Sequence, residues 1–268
     1  MLTVKIVLKI KFDKTQALTF HHLLERHITL ISLNNIDIIL VGTSHPGNIG
    51  AAARAMKTMG LSQLVLVKPK EFPSVVATAR ASGADDILAN AKIYDDFVES
   101  LHPYELVIAT SARLRSITWP MLTPPECAEK ALAQEGKVAL IFGREHAGLT
   151  NEELDHCHSL VQISTESDFS SLNIAAAVQV LSYELRRTAE QNENNPLPTV
   201  GDAVNMQQME YFYEHLEQTL LDTQFLEADK PRLTMRKLRC LFNRAAPNKS
   251  EMNILRGILS SVQKIAKK

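Results

Sequence analysis

The sequence predicts an α/β fold in which a parallel sheet is covered by helices on both faces. From about residue 36 to residue 190, short apolar runs alternate with segments of helical periodicity. The runs are apolar almost throughout, as is typical of strands buried on both faces. The chain has 268 residues, of which 45% are hydrophobic and 22% charged. This length and composition predict one large domain, or one domain with a smaller appendage.

Residues 1–35 precede the alternation, and the sequence leaves their status open. MLTVKIVLKIKF could form a strand and ALTFHHLLERHI a helix. The segment could equally be disordered or arise from an upstream start codon. Lys9, Lys11 and Asp13 interrupt the apolar N-terminus, which argues against a secretory signal. No apolar run is long enough to cross a bilayer, and three scattered cysteines fit reduced thiols in a cytoplasm.

The α/β unit is expected to span residues 36–190. Its predicted strands are IDIILVG (36–42), LVLV (64–67), AKIY (91–94), LVIATSA (106–112), VALIFG (138–143) and LVQIS (160–164). Its predicted helices are NIGAAARAMKTMG (48–60), SVVATARASGADDIL with an internal turn (74–88), DDFVESL (95–101), PPECAEKALAQ (124–134), TNEELDHC (150–157) and SSLNIAAAVQVLSYELRRTAE (170–190). Gly60 is expected to end the first helix, and Thr150 with Glu153 forms a capping box.

The C-terminal part of the chain predicts a basic helical extension over residues 203–268. QNENNPLPTVGD (191–202) is polar with two prolines and predicts a linker. Three helices are expected after it, over 206–223, 232–245 and 249–268. Residues 230–268 contain eleven Lys or Arg and one acid, a net charge of +10 that leaves −11 for the rest. Such asymmetry favours contact with a polyanion, although a solvated basic face would give the same count.

Four loops at the carboxyl ends of the predicted strands have unusual compositions. They are GTSHPGNIG, ATSARLRS, FGREHAGLT and ISTESDFSSLN. Because ligands of parallel sheets bind beyond the carboxyl ends of the strands, these loops predict a concave site. The first loop lacks both the lysine of a P-loop and the GxGxxG dinucleotide fingerprint. HCH (156–158) has no second pair of ligands at metal-binding spacing, so no metal is predicted.

Single residues in or near these loops allow more than one interpretation each. Arg54, one turn into the first helix, either belongs to a solvated basic face or anchors a phosphate. Glu145 either caps a neighbouring helix, pairs with an arginine, or takes part in chemistry. Ser170 and Ser171 either cap the last helix of the unit or also bind a ligand.

Three segments in order resemble the motifs of the SPOUT ribose 2′-O-methyltransferases. They are NIGAAARAMKTMG, LIFGREHAGLTNEEL and QISTESDFSSLNIAAAVQVLSYELRR. ATSARLRSITWPMLTPPEC is similar to the TrmJ branch of that family. The resemblance covers residues 36–188 well and the linker and extension more loosely. It implies an S-adenosylmethionine-dependent catalytic domain over 36–190 with a C-terminal trefoil knot. It also implies a homodimer that methylates cytidine or uridine at position 32 of tRNA.

The resemblance also implies roles for individual residues. The cofactor contacts would be Thr110, Ser111, Ala112, Gly143, Ile163, Ser170, Ser171 and Leu172. The catalytic residues would be Arg54, Asn48 and Ser171. With the basic extension, the implied RNA contacts are Arg54, Arg236, Lys237 and Arg239. Arg54 would stabilise charge on the attacking ribose oxygen, since its pKa of roughly 12.5 to 13.8 makes a neutral base costly. Ser171 or a water would relay the proton, and the turn before the first helix would hold the target phosphate and ribose.

Other functions stay open at this point. The same chemistry could act on ribosomal RNA, or the chain could be a non-catalytic RNA-binding protein with this fold. A nucleotide-dependent hydrolase or dehydrogenase is disfavoured because its fingerprints are missing.

Overall fold

The structure is a computed structural model that describes residues 33–111, 119–166, 168, 171–192, 201–226 and 232–266. The strand and helix predicted for the N-terminal extension lie outside these residues, apart from its last three positions. Most of the predicted linker, together with Ala112 and Ser170, also lies outside them.

Seven parallel strands form one sheet in the order β3-β2-β1-β6-β4-β7-β5. The strands are β1 (Ile36–Val41), β2 (Gln63–Val67), β3 (Lys92–Tyr94), β4 (Leu106–Thr110), β5 (Met121–Leu122), β6 (Val138–Phe142) and β7 (Ser159–Val161). The six predicted strands are confirmed, with β4 and β7 ending earlier than expected. The edge strand β5 was not predicted, because two residues are too short to leave an apolar run.

The helices between and after these strands also follow the prediction. They are α1 (Pro46–Met59), α2 (Val75–Ala81), α3 (Asp85–Ala89), α4 (Phe97–Leu101), α5 (Pro124–Leu132), α6 (Asn151–Leu154), α7 (Ile174–Asn192), α8 (Met206–Asp222), α9 (Arg232–Ala245) and α10 (Lys249–Ala266). The segment predicted as a helix with a turn is the pair α2 and α3. None of the helices that the structure describes is both long and apolar enough to span a membrane.

Alternation along the strands divides the core between the two faces of the sheet. On β1, Ile36, Ile38 and Leu40 belong to one buried cluster, which includes residues of α1, α2, α5 and α7. Ile39 and Val41 belong to the other, with residues of α4, α6, α8 and α9. Helices therefore cover both faces, and the predicted α/β class is confirmed. The trefoil knot stays a prediction.

Helix α1 begins at the sheet's carboxyl edge because of local signals in the sequence. His45 is the N-cap, and its Nδ1 accepts a hydrogen bond from the Gly47 N–H at 3.1 Å. Pro46 follows at the first helical position, where a missing N–H costs nothing. Gly60 ends the helix in the left-handed region with φ 85°, as predicted. A Cβ at Gly50 would lie 2.0 Å from the carbonyl oxygen of Ala77, so glycine lets α1 pack closely on α2.

The three C-terminal helices have a core of their own and also dock on the sheet domain. Met209, Phe212 and Tyr213 of α8 are buried in one cluster with residues of α9 and α10. The Met206 N–H donates to the Tyr104 carbonyl at 2.9 Å. The Asn243 side-chain amide donates to the Asp155 carbonyl at 3.0 Å. The basic helices are therefore fixed to one face of the α/β unit.

Candidate active site

An open cavity lies at the carboxyl edge of the sheet, beyond β4, β6 and β7. Six of the eight predicted cofactor contacts line it; they are Thr110, Ser111, Gly143, Ile163, Ser171 and Leu172. The other two, Ala112 and Ser170, lie outside the described residues. The structure thus brings together residues that are up to 62 positions apart in the chain. Their contact with a cofactor stays a prediction.

The loop after β6 forms one wall of the cavity and is closely packed. A Cβ at Gly143 would lie 2.4 Å from the carbonyl carbon of Gly148, so this position accepts only glycine without a shift. The backbones of Arg144 and Gly148 exchange two hydrogen bonds of 3.3 and 2.8 Å. The Arg144 guanidinium donates to both carboxylate oxygens of Glu153, at 3.0 and 2.9 Å. Burial acts to raise the pKa of Glu153, but the hydrogen bonds from Arg144 and Thr150 lower it.

Glu145 in this loop holds the N-terminus of α1. Its carboxylate accepts hydrogen bonds from the Ser44 N–H at 3.1 Å, the His45 N–H at 3.3 Å and the Asn48 side-chain amide at 2.9 Å. Burial acts to raise the pKa of Glu145, but these hydrogen bonds lower it to about 2. Of the interpretations of Glu145, capping of a neighbouring helix agrees with the structure. The turn that was expected to hold an RNA phosphate binds this carboxylate, and its contact with RNA stays a prediction.

Asn48 connects the same loop to α7. Its Oδ1 accepts a hydrogen bond from the Asn173 side chain at 3.0 Å, and Asn173 Oδ1 accepts from the Ala175 N–H at 2.9 Å. The series Glu145, Asn48 and Asn173 therefore joins three segments of the site. Asn173 was not among the predicted site residues. Its signal in the sequence is an asparagine just before a helix, which predicts a cap but not its second bond.

The predicted catalytic residues do not all meet at the cavity. Ser171 lines it with an exposed side chain. Arg54 is exposed on α1 and does not line it. Within the described residues, no hydrogen bond or ion pair engages Arg54, which leaves its guanidinium accessible to a ligand. The structure reports no contact between Arg54 and Ser171, so their joint role stays a prediction.

Two of the cations predicted to contact RNA form ion pairs inside the protein. Arg236 forms an ion pair with Asp155. Arg239 donates to both oxygens of Glu210, at 2.7 and 2.8 Å, and stacks 4.3 Å from the ring centre of Tyr213. Partly buried carboxylates already engage both guanidinium groups, and their contact with RNA stays a prediction. Lys237 is exposed and has no ion pair within the described part of the chain.

The histidines of HCH have structural roles. His156 Nδ1 lies 3.0 Å from Glu210 Oε1. His158 Nδ1 accepts from the Val107 N–H at 3.0 Å, and burial lowers the pKa of His158 to about 4. Among the residues that the structure describes, no group of three His, Cys, Asp or Glu side chains is placed to hold a metal.

The lining of the cavity fits S-adenosylmethionine. Apolar side chains of Phe142, Leu149, Ile163 and Leu172 offer surface to a purine ring. Hydroxyls of Thr110 and Ser171 and the tightly folded backbone near Gly143 offer polar partners to a ribose and an amino acid group.

The fold and the cavity define an α/β protein with a nucleoside-type ligand site at the carboxyl edge of a parallel sheet. The model of the SpoU rRNA Methylase family matches residues 35–183. A model of the C-terminal domain of the tRNA methyltransferase TrmJ matches residues 207–268. The chain therefore belongs to the TrmJ branch of the SpoU methylase family.

Individual relatives agree with this membership. The tRNA (cytidine/uridine/adenosine-2'-O-)-methyltransferase TrmJ of Pseudomonas aeruginosa is 51% identical over 88% of this chain and 96% of its own length. The crystal structure of TrmJ from Z. mobilis is 33% identical with a TM-score of 0.75, and the match covers 85% of this chain and 98% of that one. A probable methylase family protein from Haemophilus influenzae is 46% identical with a TM-score of 0.60, over 88% and 98%.

Proposed function

We propose that this protein transfers a methyl group from S-adenosylmethionine to the ribose 2′-hydroxyl of cytidine or uridine at position 32 of tRNA. One observation supports this above all. Segments resembling the second and third family motifs, through Gly143 and Ser171, line a single cavity, and Asn48 of the first motif is tied to both. The Pseudomonas relative's name includes adenosine, so the base at the target position is a point to test.

The cofactor supplies an activated methyl group, and the chain's own residues must orient the ribose and handle its proton. A ribose hydroxyl is a poor acid, so a cation near the oxygen lowers the energy of its developing charge. Arg54 is the proposed cation because its guanidinium is exposed and has no partner within the described residues. Ser171, in the cavity wall, is proposed to relay the proton, directly or through a water.

Glu145 is a poor choice for the proton acceptor. The hydrogen bonds that cap α1 outweigh its burial and hold its pKa at about 2, so it would take up a proton only in strong acid. We infer that Glu145 and Asn173 orient Asn48, which in turn fixes the start of α1.

The proposed assembly is a homodimer in the cytoplasm, where tRNA is modified. The family resemblance supports it, and α7 has an exposed aromatic side chain, Tyr183, on its surface. Sedimentation of the purified protein tests the dimer: a single species at the monomer mass would contradict it.

The activity is tested with labelled S-adenosylmethionine and two tRNA transcripts that differ only by a 2′-deoxy nucleotide at position 32. We expect labelling of the all-ribose transcript alone. Equal labelling of both would refute the site. Labelling of ribosomal RNA in place of tRNA would favour the alternative substrate, and no labelling of any RNA would favour a non-catalytic binding protein.

The role of Arg54 is tested by Arg54→Ala beside Lys57→Ala, a matched change on the same exposed helix. Lys57 already pairs with Asp86 at 2.7 Å. Arg54→Ala should lose nearly all turnover and keep cofactor binding, while Lys57→Ala keeps both. Normal turnover in Arg54→Ala would remove the arginine from the reaction.

A further inference from the structure

Some of the groups that the sequence offered for RNA binding are engaged inside the chain. Glu145 occupies the N–H groups of Ser44 and His45 at the start of α1. Asp155 and Glu210 occupy Arg236 and Arg239. Cations that are not engaged within the described residues are therefore the better partners for an RNA phosphate.

Three exposed cations lie on α1 and beside its N-terminal end. They are Lys70 in the loop after β2, Arg80 in the last turn of α2, and Arg54 on α1. Within the part of the chain that the structure describes, none of the three has an ion pair or a side-chain hydrogen bond. This separates them from Lys57, which also lies on α1 but donates to Asp86 and to the Gly83 carbonyl.

Backbone contacts and packing place the three cations around the first three turns of α1. The Lys70 N–H donates to the Thr43 carbonyl at 3.1 Å, which fixes the loop after β2 beside the turn before α1. The Cγ of Arg80 lies 3.5 Å from the position of a Cβ at Gly47, so the arginine crosses the first turn. Arg54 follows Gly47 by seven residues and lies on the same helix face, about 10 Å further along the axis.

The cations on this surface outnumber the acids near them. Glu71 follows Lys70 and accepts a hydrogen bond from the Ser74 hydroxyl at 2.8 Å. Asp86 on α3 is paired with Lys57, and Asp85 is exposed beside it. Lys68, also exposed, adds a further positive charge to the loop after β2. The surface therefore keeps a net positive charge next to the carboxyl edge of the sheet.

We propose that Lys70, Arg80 and Arg54 form a phosphate-binding track for the tRNA backbone next to the target nucleotide. This inference rests on the proposed function, and it assigns Lys70 and Arg80 to substrate binding. Long cationic side chains that are not paired within the protein can neutralise successive phosphates. Such contacts position the RNA on the protein but do not recognise its base sequence. Asn48 and Arg54 share α1, so an RNA backbone bound by the track would lie beside the helix that carries both residues.

The test is the salt dependence of tRNA binding, measured by fluorescence anisotropy without methyl transfer. Variants Lys70→Ala and Arg80→Ala are compared with the matched control Lys57→Ala and with Lys237→Ala on the extension. Each track variant should reduce the slope of log affinity against log salt by roughly 0.7 to 0.9, because one phosphate contact is lost. This change in slope corresponds to tRNA binding by each variant that is roughly five- to eight-fold weaker than by the wild type at about 0.1 M salt.

Unchanged slopes in both track variants, with normal circular dichroism and normal S-adenosylmethionine binding, would overturn the proposal. A reduced slope in Lys237→Ala alone would overturn it as well, and assign the backbone contact to the extension. The experiment distinguishes a failure of the phosphate-binding track from a failure of the proposed function. If the wild-type protein binds tRNA through these residues but labels no RNA, the proposed function falls and the track stands. If the wild-type protein methylates tRNA but the salt slopes of the two track variants are unaltered, the proposed function stands and the phosphate-binding track is refuted.

Discussion

Replacing Arg239 with methionine should destabilise the packing of α9 on α8 at a measurable energetic cost. Arg239 donates to both oxygens of Glu210, and the two side chains are 21% and 14% exposed. The variant keeps a long side chain against Tyr213 and removes only the charge and its hydrogen bonds. Glu210 then keeps His156 as its neighbour but loses its strongest donor.

The loss of unfolding free energy follows both from the pKa shift of Glu210 and from the usual cost of breaking a buried ion pair. Burial acts to raise the pKa of Glu210, but His156 and Arg239 lower it from 4.5 to about 2. At about 1.4 kcal/mol per pKa unit, this shift corresponds to about 3 kcal/mol shared between the two partners. Removal of one partner from a buried ion pair costs about 3 to 5 kcal/mol. We therefore expect Arg239→Met to lose about 2 to 3 kcal/mol of unfolding free energy at neutral pH.

The assay is urea denaturation followed by circular dichroism, with Lys237→Met as the control on the same helix. Lys237 is exposed, so its variant should stay within about 0.5 kcal/mol of the wild type. Because the folded-state pKa of Glu210 is depressed, its stabilisation is present above the unfolded value of 4.5 and lost as pH falls toward 2. The difference between wild type and Arg239→Met should shrink over that range. A loss below about 1 kcal/mol, or one that does not vary with pH there, would refute the reasoning.

Three further outcomes are expected. Gly143→Ala should abolish S-adenosylmethionine binding measured by calorimetry, since the new Cβ would lie 2.5 Å from the Leu149 nitrogen; normal affinity would contradict this. Glu145→Gln should lower kcat by roughly ten-fold or more without loss of cofactor binding, because a neutral amide caps α1 less strongly; unchanged kcat would exclude the positioning role. Cys127 should resist iodoacetamide in the native protein, as burial raises the pKa of its thiol to about 12, and labelling detected by mass spectrometry would argue against this burial.

Most of the sheet could be predicted because its strands are apolar on both faces and bounded by clear helix signals. Gly60 and the Thr150–Glu153 capping box are local signals, and the structure uses both as expected. The order of the strands could not be predicted, because β6 pairs with both β1 and β4 through contacts distant in sequence. Strand β5 was missed because its pairing with β7 depends on the fold and not on its own two residues.

The sequence predicted which loops form the candidate site, but not the hydrogen bonds between them. The loops that follow β4, β6 and β7 meet at one cavity, as the carboxyl-end rule indicates. The sequence left Glu145 with several interpretations, and only the approach of the loop to α1 selects among them. Asn173 was overlooked, because its bond to Asn48 spans 125 positions and leaves no local pattern.

The net charge of the extension does not equal the number of its cations that are free to bind RNA. Residues 230–268 carry a net charge of +10, which by itself favours that segment as the RNA contact. Folding places Arg236 against Asp155 and Arg239 against Glu210, so part of this charge stabilises the docking of the helices. A guanidinium that must leave a partly buried carboxylate to bind a phosphate gains less than one that starts in water. The cations available to RNA are therefore those without partners, and within the described residues Lys70, Arg80 and Arg54 are such cations on and beside α1. It follows that replacing Lys70 or Arg80 should change the salt dependence of tRNA binding more than replacing Arg236 or Arg239, the paired arginines of the extension.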